Sequence, residues 1–215
     1  MSNADLSHTI EHGMATYPGL PGPVVSDHLT REASRAHYDA GTEFHIGRID
    51  MVGNTGTYLD VPFHRYAAGA DLADLPIEDV AGLPGVVVST RDIAVGPGAV
   101  FGIDLAGRAV LFHTGWDRHW GTPIYGAGGH PHLTAGTATA LIEAGAVLVG
   151  IDSLNIDDTS GGDRPVHSAL LSAGIPIVEH LTGLGRLPTE GFRFNAVPVK
   201  VRGMGSFPVR AFAVW

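Results

Sequence analysis

A single α/β domain with a mixed sheet and few helices is the fold class this sequence predicts, on three observations. The chain has 215 residues, 44% hydrophobic and 16% charged, which suits one sizeable core. Short runs rich in β-branched residues, such as Val86-Val87-Val88, recur between only a few segments of helical character. The 30 glycines and 14 prolines indicate many turns and loops.

The elements follow in order. Tyr17-Pro18-Gly19 and Pro21-Gly22-Pro23 make the early chain an extended or turning segment, so the protein reads as one domain (residues 1–215) with residues 1–40 as an N-terminal arm. Phe44 to Val52 alternates loosely and predicts a strand. Leu75-Pro76 followed by Ile77 to Val80 predicts a short helix. Gly85 to Thr90 and Ala109 to His113 read as buried strands. Thr134 to Ala144 reads as a helix capped by Thr134 and stopped by Gly145. A strand from Ala146 to Ile151 follows. Asp163 is the expected N-cap of a helix running to Ala173, with Gly174 as its stop. Ile175 to Val178, Phe192 to Val201 and Pro208 to Val214 complete the strands. No repeat or linker divides the chain.

Composition excludes several functions. There is no cysteine, so any metal must be held by His, Asp, Glu, amide or water. A net charge of −9 argues against general nucleic-acid binding. No apolar run approaches the ~18 residues of a membrane span, and Met-Ser-Asn-Ala-Asp does not open a signal pattern. A cytoplasmic protein acting on a small molecule, without nucleic acid or membrane partners, is the expectation.

The most informative segment is Gly53-Asn54-Thr55-Gly56-Thr57-Tyr58-Leu59-Asp60-Val61-Pro62-Phe63-His64. In an extended chain, alternate side chains share a face, so Asn54, Tyr58, Asp60 and His64 would point one way. An acid and an imidazole converging on a rigid segment suit a metal or acid–base site. A second pair, His167 and Glu179, lies across a helix, a Gly turn and a strand. If the chain doubles back at Gly174, the two meet near the strand end.

The segment resembles the signature of the cyclase family, the metal-dependent hydrolases that include bacterial kynurenine formamidases and isatin hydrolases. Their pattern reads His-x-Gly-Thr-His-x-Asp-x-Pro-x-His. Here Gly56, Thr57, Asp60, Pro62 and His64 match, while Asn54 and Tyr58 stand in place of two His. Val166 to Leu171 and Gly174 to Thr182 resemble the family's downstream ligand block. The resemblance implies a swivelling β/β/α-type fold and an arm over the active site or a neighbouring subunit. It also implies a homodimer or higher homo-oligomer and arylformamidase-like chemistry of the kynurenine-catabolism type. One divalent metal per chain, Zn or Mn, would be held by Asp60, His167 and Glu179, with His64 as general acid/base.

Two readings of Asn54 and Tyr58 stand. They line the pocket, with the Tyr58 phenol donating to a carbonyl or oxyanion, or they mark lost catalysis. Tyr17, Trp116 and Trp120 are candidate aromatic walls. Asp152-Ser153 is placed beside the site in support of its ligands. His130-Pro131-His132 is read as a solvated loop, His113 as a core histidine, and His180 as pointing away from Glu179. The leading function is hydrolysis of an amide, formamide or lactam of a small aromatic molecule. Its rivals are metal-poor acid–base cyclisation, dehydration or isomerisation, and ligand binding without turnover.

Overall fold

The β-branched runs lie where both faces of a sheet are buried. In chain order the structure, a computed structural model describing residues 2–215, begins with β1 (Asn3–Asp5), β2 (Val24–Leu29), helix α1 (Arg31–Ser34), β3 (Ile46–Asp50) and β4 (Tyr58–Asp60). Then come β5 (Leu83–Ser89), β6 (Ala94–Val95), β7 (Ala109–His113), β8 (His132–Leu133), α2 (Ala135–Glu143) and β9 (Leu148–Ile151). The chain ends with α3 (Pro165–Ser172), β10 (Ile177–Glu179), β11 (Glu190–Asn195), β12 (Ser206–Pro208) and β13 (Phe212–Val214). Nine strands form one sheet, ordered β1-β13-β11-β5-β7-β9-β10-β4-β12. Strands β5, β7, β9 and β10 run parallel, and antiparallel strands extend both sides.

Alternation along β7 explains the layering. Ala109 and Leu111 enter one core cluster, and Val110 and Phe112 enter the other. Leu141 of α2, with Val166 and Leu170 of α3, covers the second cluster. A strand buried on both faces must be apolar throughout, which is why β5, β7 and β9 read as continuous apolar runs. The predicted mixed α/β fold with few helices is the observed one.

Several boundaries differ from expectation. The Leu75–Val80 helix is a single 3-10 turn, Ile77–Asp79. The last expected strand divides into β12 and β13 around Val209 to Ala211. Asp163 does not cap α3. Pro165 occupies its first turn, and Asp157 accepts from the Val166 and His167 N–H groups at 2.7 and 3.0 Å. The motif is not extended throughout: Gly56 has φ +65°, only Tyr58–Asp60 is strand, and Pro62–His64 is a 3-10 turn.

The segment expected as an arm is partly built into the body. β1 pairs with β13 at the sheet edge, and Ala4, Leu6 and Thr16 are buried. The His8 N–H donates to Thr57 Oγ1 at 3.0 Å, and the Gly56 N–H donates to Thr16 Oγ1 at 2.8 Å. Backbone groups of the motif and of the N-terminal segment thus satisfy one another. What stands away from the sheet is the β2–β3 ribbon, whose residues are exposed on both faces.

Beside this lacing, His8 stacks on Trp120 with ring centroids 3.8 Å apart. His180 is fully buried at φ +56° and shares a 2.7 Å hydrogen bond with the Tyr125 hydroxyl. Its ring packs beside Tyr125 and Tyr58, with centroids 5.2 Å apart in the Tyr58 pair, and the backbone there is left-handed, not extended. Burial lowers the His180 pKa to about 3, and His8 is lowered to about 4 by burial against an opposing pull from Asp117. Both rings stay neutral in the folded protein, whereas the unfolded chain takes up protons below about pH 6.5. The contribution of these two rings is therefore fully present above that pH and is lost as pH falls through about 4 for His8 and about 3 for His180. Between pH 7 and 5 the unfolding free energy measured in denaturant should lose up to about 1.4 kcal/mol per pH unit from His180. His180→Asn, which tolerates the same backbone, should flatten the slope. Equal slopes in the two proteins would contradict this account.

Candidate active site

The site forms where two buried carboxylates sit on neighbouring strands. In the β4–β10 register Tyr58 lies opposite Glu179 and Asp60 opposite Ile177. Asp60 and Glu179 are fully buried, so each needs partners. Tyr58 donates its hydroxyl to Glu179 Oε2 at 2.5 Å, and the Ile156 N–H donates to Oε1 at 2.7 Å. Ser206, on β12, donates its hydroxyl to Asp60 Oδ1. Asp60 Oδ2 has no hydrogen-bond partner and is buried.

His167 faces this gap from the first turn of α3. Its Nε2 lies 3.6 Å from Asp60 Oδ2 and 3.6 Å from Glu179 Oε1. The expected return of the chain at Gly174 thus brings His167 and Glu179 together. Asp157 Oδ2 holds the other ring nitrogen, Nδ1, at 2.7 Å, which fixes the ring and leaves Nε2 facing the two acids. Burial disfavours the imidazolium, but Glu179, Asp157 and Asp60 outweigh it and raise the His167 pKa to about 10.

His64 completes the cluster from the 3-10 turn after β4. It is the exposed member, with a side chain 37% accessible. Its Nδ1 is 2.8 Å from Ser206 Oγ and 3.8 Å from Asp60 Oδ1. Ser206 has one proton, given to Asp60, so it accepts from His64 Nδ1–H. That tautomer leaves the Nε2 lone pair free. Asn54 Nδ2 also donates to Ser206 Oγ, at 3.5 Å. There is no room for a Cβ at Gly205, which presses against the His64 backbone and so places Ser206.

Asp60, His64 and His167 each offer a ligand atom, all within 4.8 Å of one another. The expected trio had Glu179 in place of His64. Both Glu179 oxygens already accept a hydrogen bond, although each keeps a second lone pair. The site fits a divalent cation on its own terms. An unpaired buried carboxylate oxygen faces an oriented imidazole nitrogen, and three acids surround one imidazole.

A cavity of about 460 Å³ opens over the cluster. Asn54, Tyr58, His64, His167 and Glu179 line it, as does Tyr17. Burial first, then the Glu179 and Asp60 charges, raise the Tyr58 pKa well above the usual phenol value. The phenol therefore stays protonated, but its one hydrogen is committed to Glu179. The expected donation from Tyr58 to an oxyanion is not available in this arrangement, and toward the cavity the oxygen offers a lone pair.

Other expected residues lie elsewhere. Trp116 does not line the cavity, because its indole N–H donates to the Tyr125 carbonyl at 3.2 Å. Trp120 belongs to the His8 stack. Asp152 accepts from Thr114 and Gly115, not from a site residue. His130 is buried, and Ser153 and Thr159 lie within hydrogen-bonding reach of its ring. It is not on a solvated loop. His113 is only half-buried and lies 3.4 Å from Ser89 Oγ. Sequence reasoning missed Asp157 and Ser206. Pro165 signals only that the next N–H groups of α3 need an acceptor, and not that Asp157 supplies it. No local pattern marks Ser206.

Fold and site together define an α/β protein with a buried carboxylate–imidazole cluster whose ligand atoms are close enough to hold a metal ion. The chain belongs to the cyclase family: the family's sequence model, described as "Putative cyclase", matches residues 4–158. Kynurenine formamidase from Salinibacter ruber is 28% identical over 217 residues, covering 98% of this chain and 96% of the relative. A structure titled as a potential metal-dependent hydrolase with cyclase activity superposes with a TM-score of 0.80 at 26% identity, over 99% of this chain and 96% of the other. Isatin hydrolase A from Labrenzia aggregata, bound to benzyl benzoate, shares the fold with a TM-score of 0.83 at 23% identity, over 99% and 93% of the two chains. Among the described residues no helix is long and apolar enough to cross a membrane.

If His167 ligates a divalent cation, Asp157→Asn, which removes the carboxylate that orients its ring, should weaken Zn²⁺ or Mn²⁺ binding about 10–100-fold in calorimetric titration. Unchanged affinity would contradict that orienting role.

Proposed function

We propose that this chain hydrolyses the C–N bond of an amide, formamide or lactam in a small aromatic molecule. The observation that carries the reading is the unpaired Asp60 Oδ2 facing His167 Nε2 at the floor of the cavity, with His64 exposed beside it. The names of the similar proteins support it.

Asp60, His167 and Glu179 would hold one divalent metal, Zn or Mn. Such a cation supplies Lewis acidity, polarising a carbonyl and making water a stronger acid. His64 moves the proton. With Nδ1 donating to Ser206, its free Nε2 can take a proton from attacking water and return it to the leaving nitrogen. Ser206 passes the orienting effect of Asp60 to that ring. Asn54 has a second N–H beyond the one it gives Ser206, and this donor suits the substrate carbonyl as negative charge develops on it. Tyr58 keeps Glu179 in place.

The exposed ribbon supports assembly of the chain with copies of itself. Val25, Phe44, Ile46 and Ile49 are each about half exposed. A two-stranded ribbon is marginal alone, and clustered exposed apolar residues mark interaction surfaces. A second copy of this chain is the occupant we assign. Light scattering should give at least twice the 22.4 kDa chain mass, and Phe44→Glu with Ile46→Glu should reduce it to the single-chain value. A monomeric native protein would overturn the assignment.

For the chemistry, protein prepared without chelator should carry close to one metal per chain and lose it in Asp60→Ala. Formanilide, a neutral aryl formamide, should be hydrolysed. His64→Ala should cut kcat by about 10²–10⁴-fold while KM moves little. Unchanged turnover in His64→Ala would remove the proposed proton path. Turnover that survives chelators would favour acid–base chemistry without metal.

A further inference from the structure

We infer that the preferred substrate carries a carboxylate, held at the cavity rim by Arg164 with Arg65 in support. The inference rests on the amide-hydrolase reading for the reaction, but it stands on its own geometry for binding.

Both arginines line the same cavity as His64 and His167. Neither pairs with a carboxylate of the chain among the described residues, unlike Arg35, Arg108, Arg202 and Arg210. Arg164 is half-buried and anchored. Its Nη1 shares its two hydrogens among the carbonyls of Asp158, Gly161 and Asp163, at 3.2, 2.9 and 2.7 Å. Those three carbonyls carry no net charge, and they leave Nε and Nη2 without a partner in the chain. Arg65 donates Nε to Ser168 Oγ at 3.3 Å and lies over the Tyr66 ring, so its terminal nitrogens are likewise free.

A guanidinium fixed on one side with a free edge on the other is matched to a planar, two-oxygen anion. Arg164 and Arg65 thus give the cavity lining positive charge that no carboxylate of the chain takes up among the described residues. The lining also includes the largely apolar Tyr17, Pro18 and Leu20. A volume of about 460 Å³ suits one aromatic ring with two substituents. The ligand is thus an aromatic acid whose scissile amide reaches the floor while its carboxylate reaches the rim.

The test compares substrates that differ only in the anion: formanilide against 2-, 3- and 4-formamidobenzoate. At least one isomer should exceed formanilide in kcat/KM by about tenfold or more, as expected for a charge-assisted pair. Arg164→Gln should erase that preference through KM, the formamidobenzoates losing at least tenfold more kcat/KM than formanilide loses. Arg164→Lys, which keeps the charge without the fork, should fall between. Arg65→Gln should show a smaller loss. Equal hydrolysis of all four compounds, or equal losses in Arg164→Gln for neutral and charged substrates, would overturn the inference.

Calorimetry with benzoate and benzamide, on metal-loaded and chelator-treated protein, keeps the two readings apart. If no formamide is hydrolysed, the amide reading fails, and tighter binding of benzoate that disappears in Arg164→Gln still supports the anion site. Benzoate binding no tighter than benzamide, or binding lost with the metal and indifferent to Arg164, would overturn it.

Discussion

Two carboxylates buried side by side on β4 and β10 are the constraint on which the rest of the site depends. A buried charge without partners costs several kcal/mol, so the surrounding residues are chosen to answer it. Ser206 and Tyr58 each give their single hydroxyl proton to one of the acids. The Ile156 amide and His167 supply further donors or charge. One oxygen, Asp60 Oδ2, is left over. Within the motif, Tyr58 meets this demand directly and Asn54 meets it through Ser206.

The support extends to residues that touch neither acid. Asp157 does two things at once: it caps α3, and it aligns the imidazole that α3 carries. Cap and ligand orientation therefore cannot be varied separately, which ties the local stability of the helix start to the competence of the site. The N-terminal segment plays a comparable part for the motif. It satisfies Gly56 and Thr57 through Thr16 and His8, then leaves as the exposed ribbon. Positions near the chain start thus hold the motif loop in shape and also contribute Tyr17 to the cavity wall.

The departures from the family pattern have a structural consequence at both positions. Tyr58 is a donor to Glu179, and Asn54 is a donor to Ser206. Each has become part of the network that orients the acids. A phenol held protonated by burial has little to offer a metal.

Much of this was legible in the sequence. The apolar runs of β5, β7 and β9, the Thr134 cap of α2 and the Gly174 stop of α3 follow from local propensity and turn chemistry, which act over a few residues. Asp60, His64, His167 and Glu179 stood out because their residue types and spacing suit only a few chemistries. The 3-10 turn at His64, the capping by Asp157 and the commitment of the Tyr58 proton were not legible. Ser206 sits 142 residues from His64, and no local pattern encodes such a contact. The sequence by itself determined which atoms could serve as ligands, acids and anchors. Only the tertiary structure decided which of them are spent on one another and which remain free, because hydrogen-bond partners are allotted by strand register and burial across the whole chain.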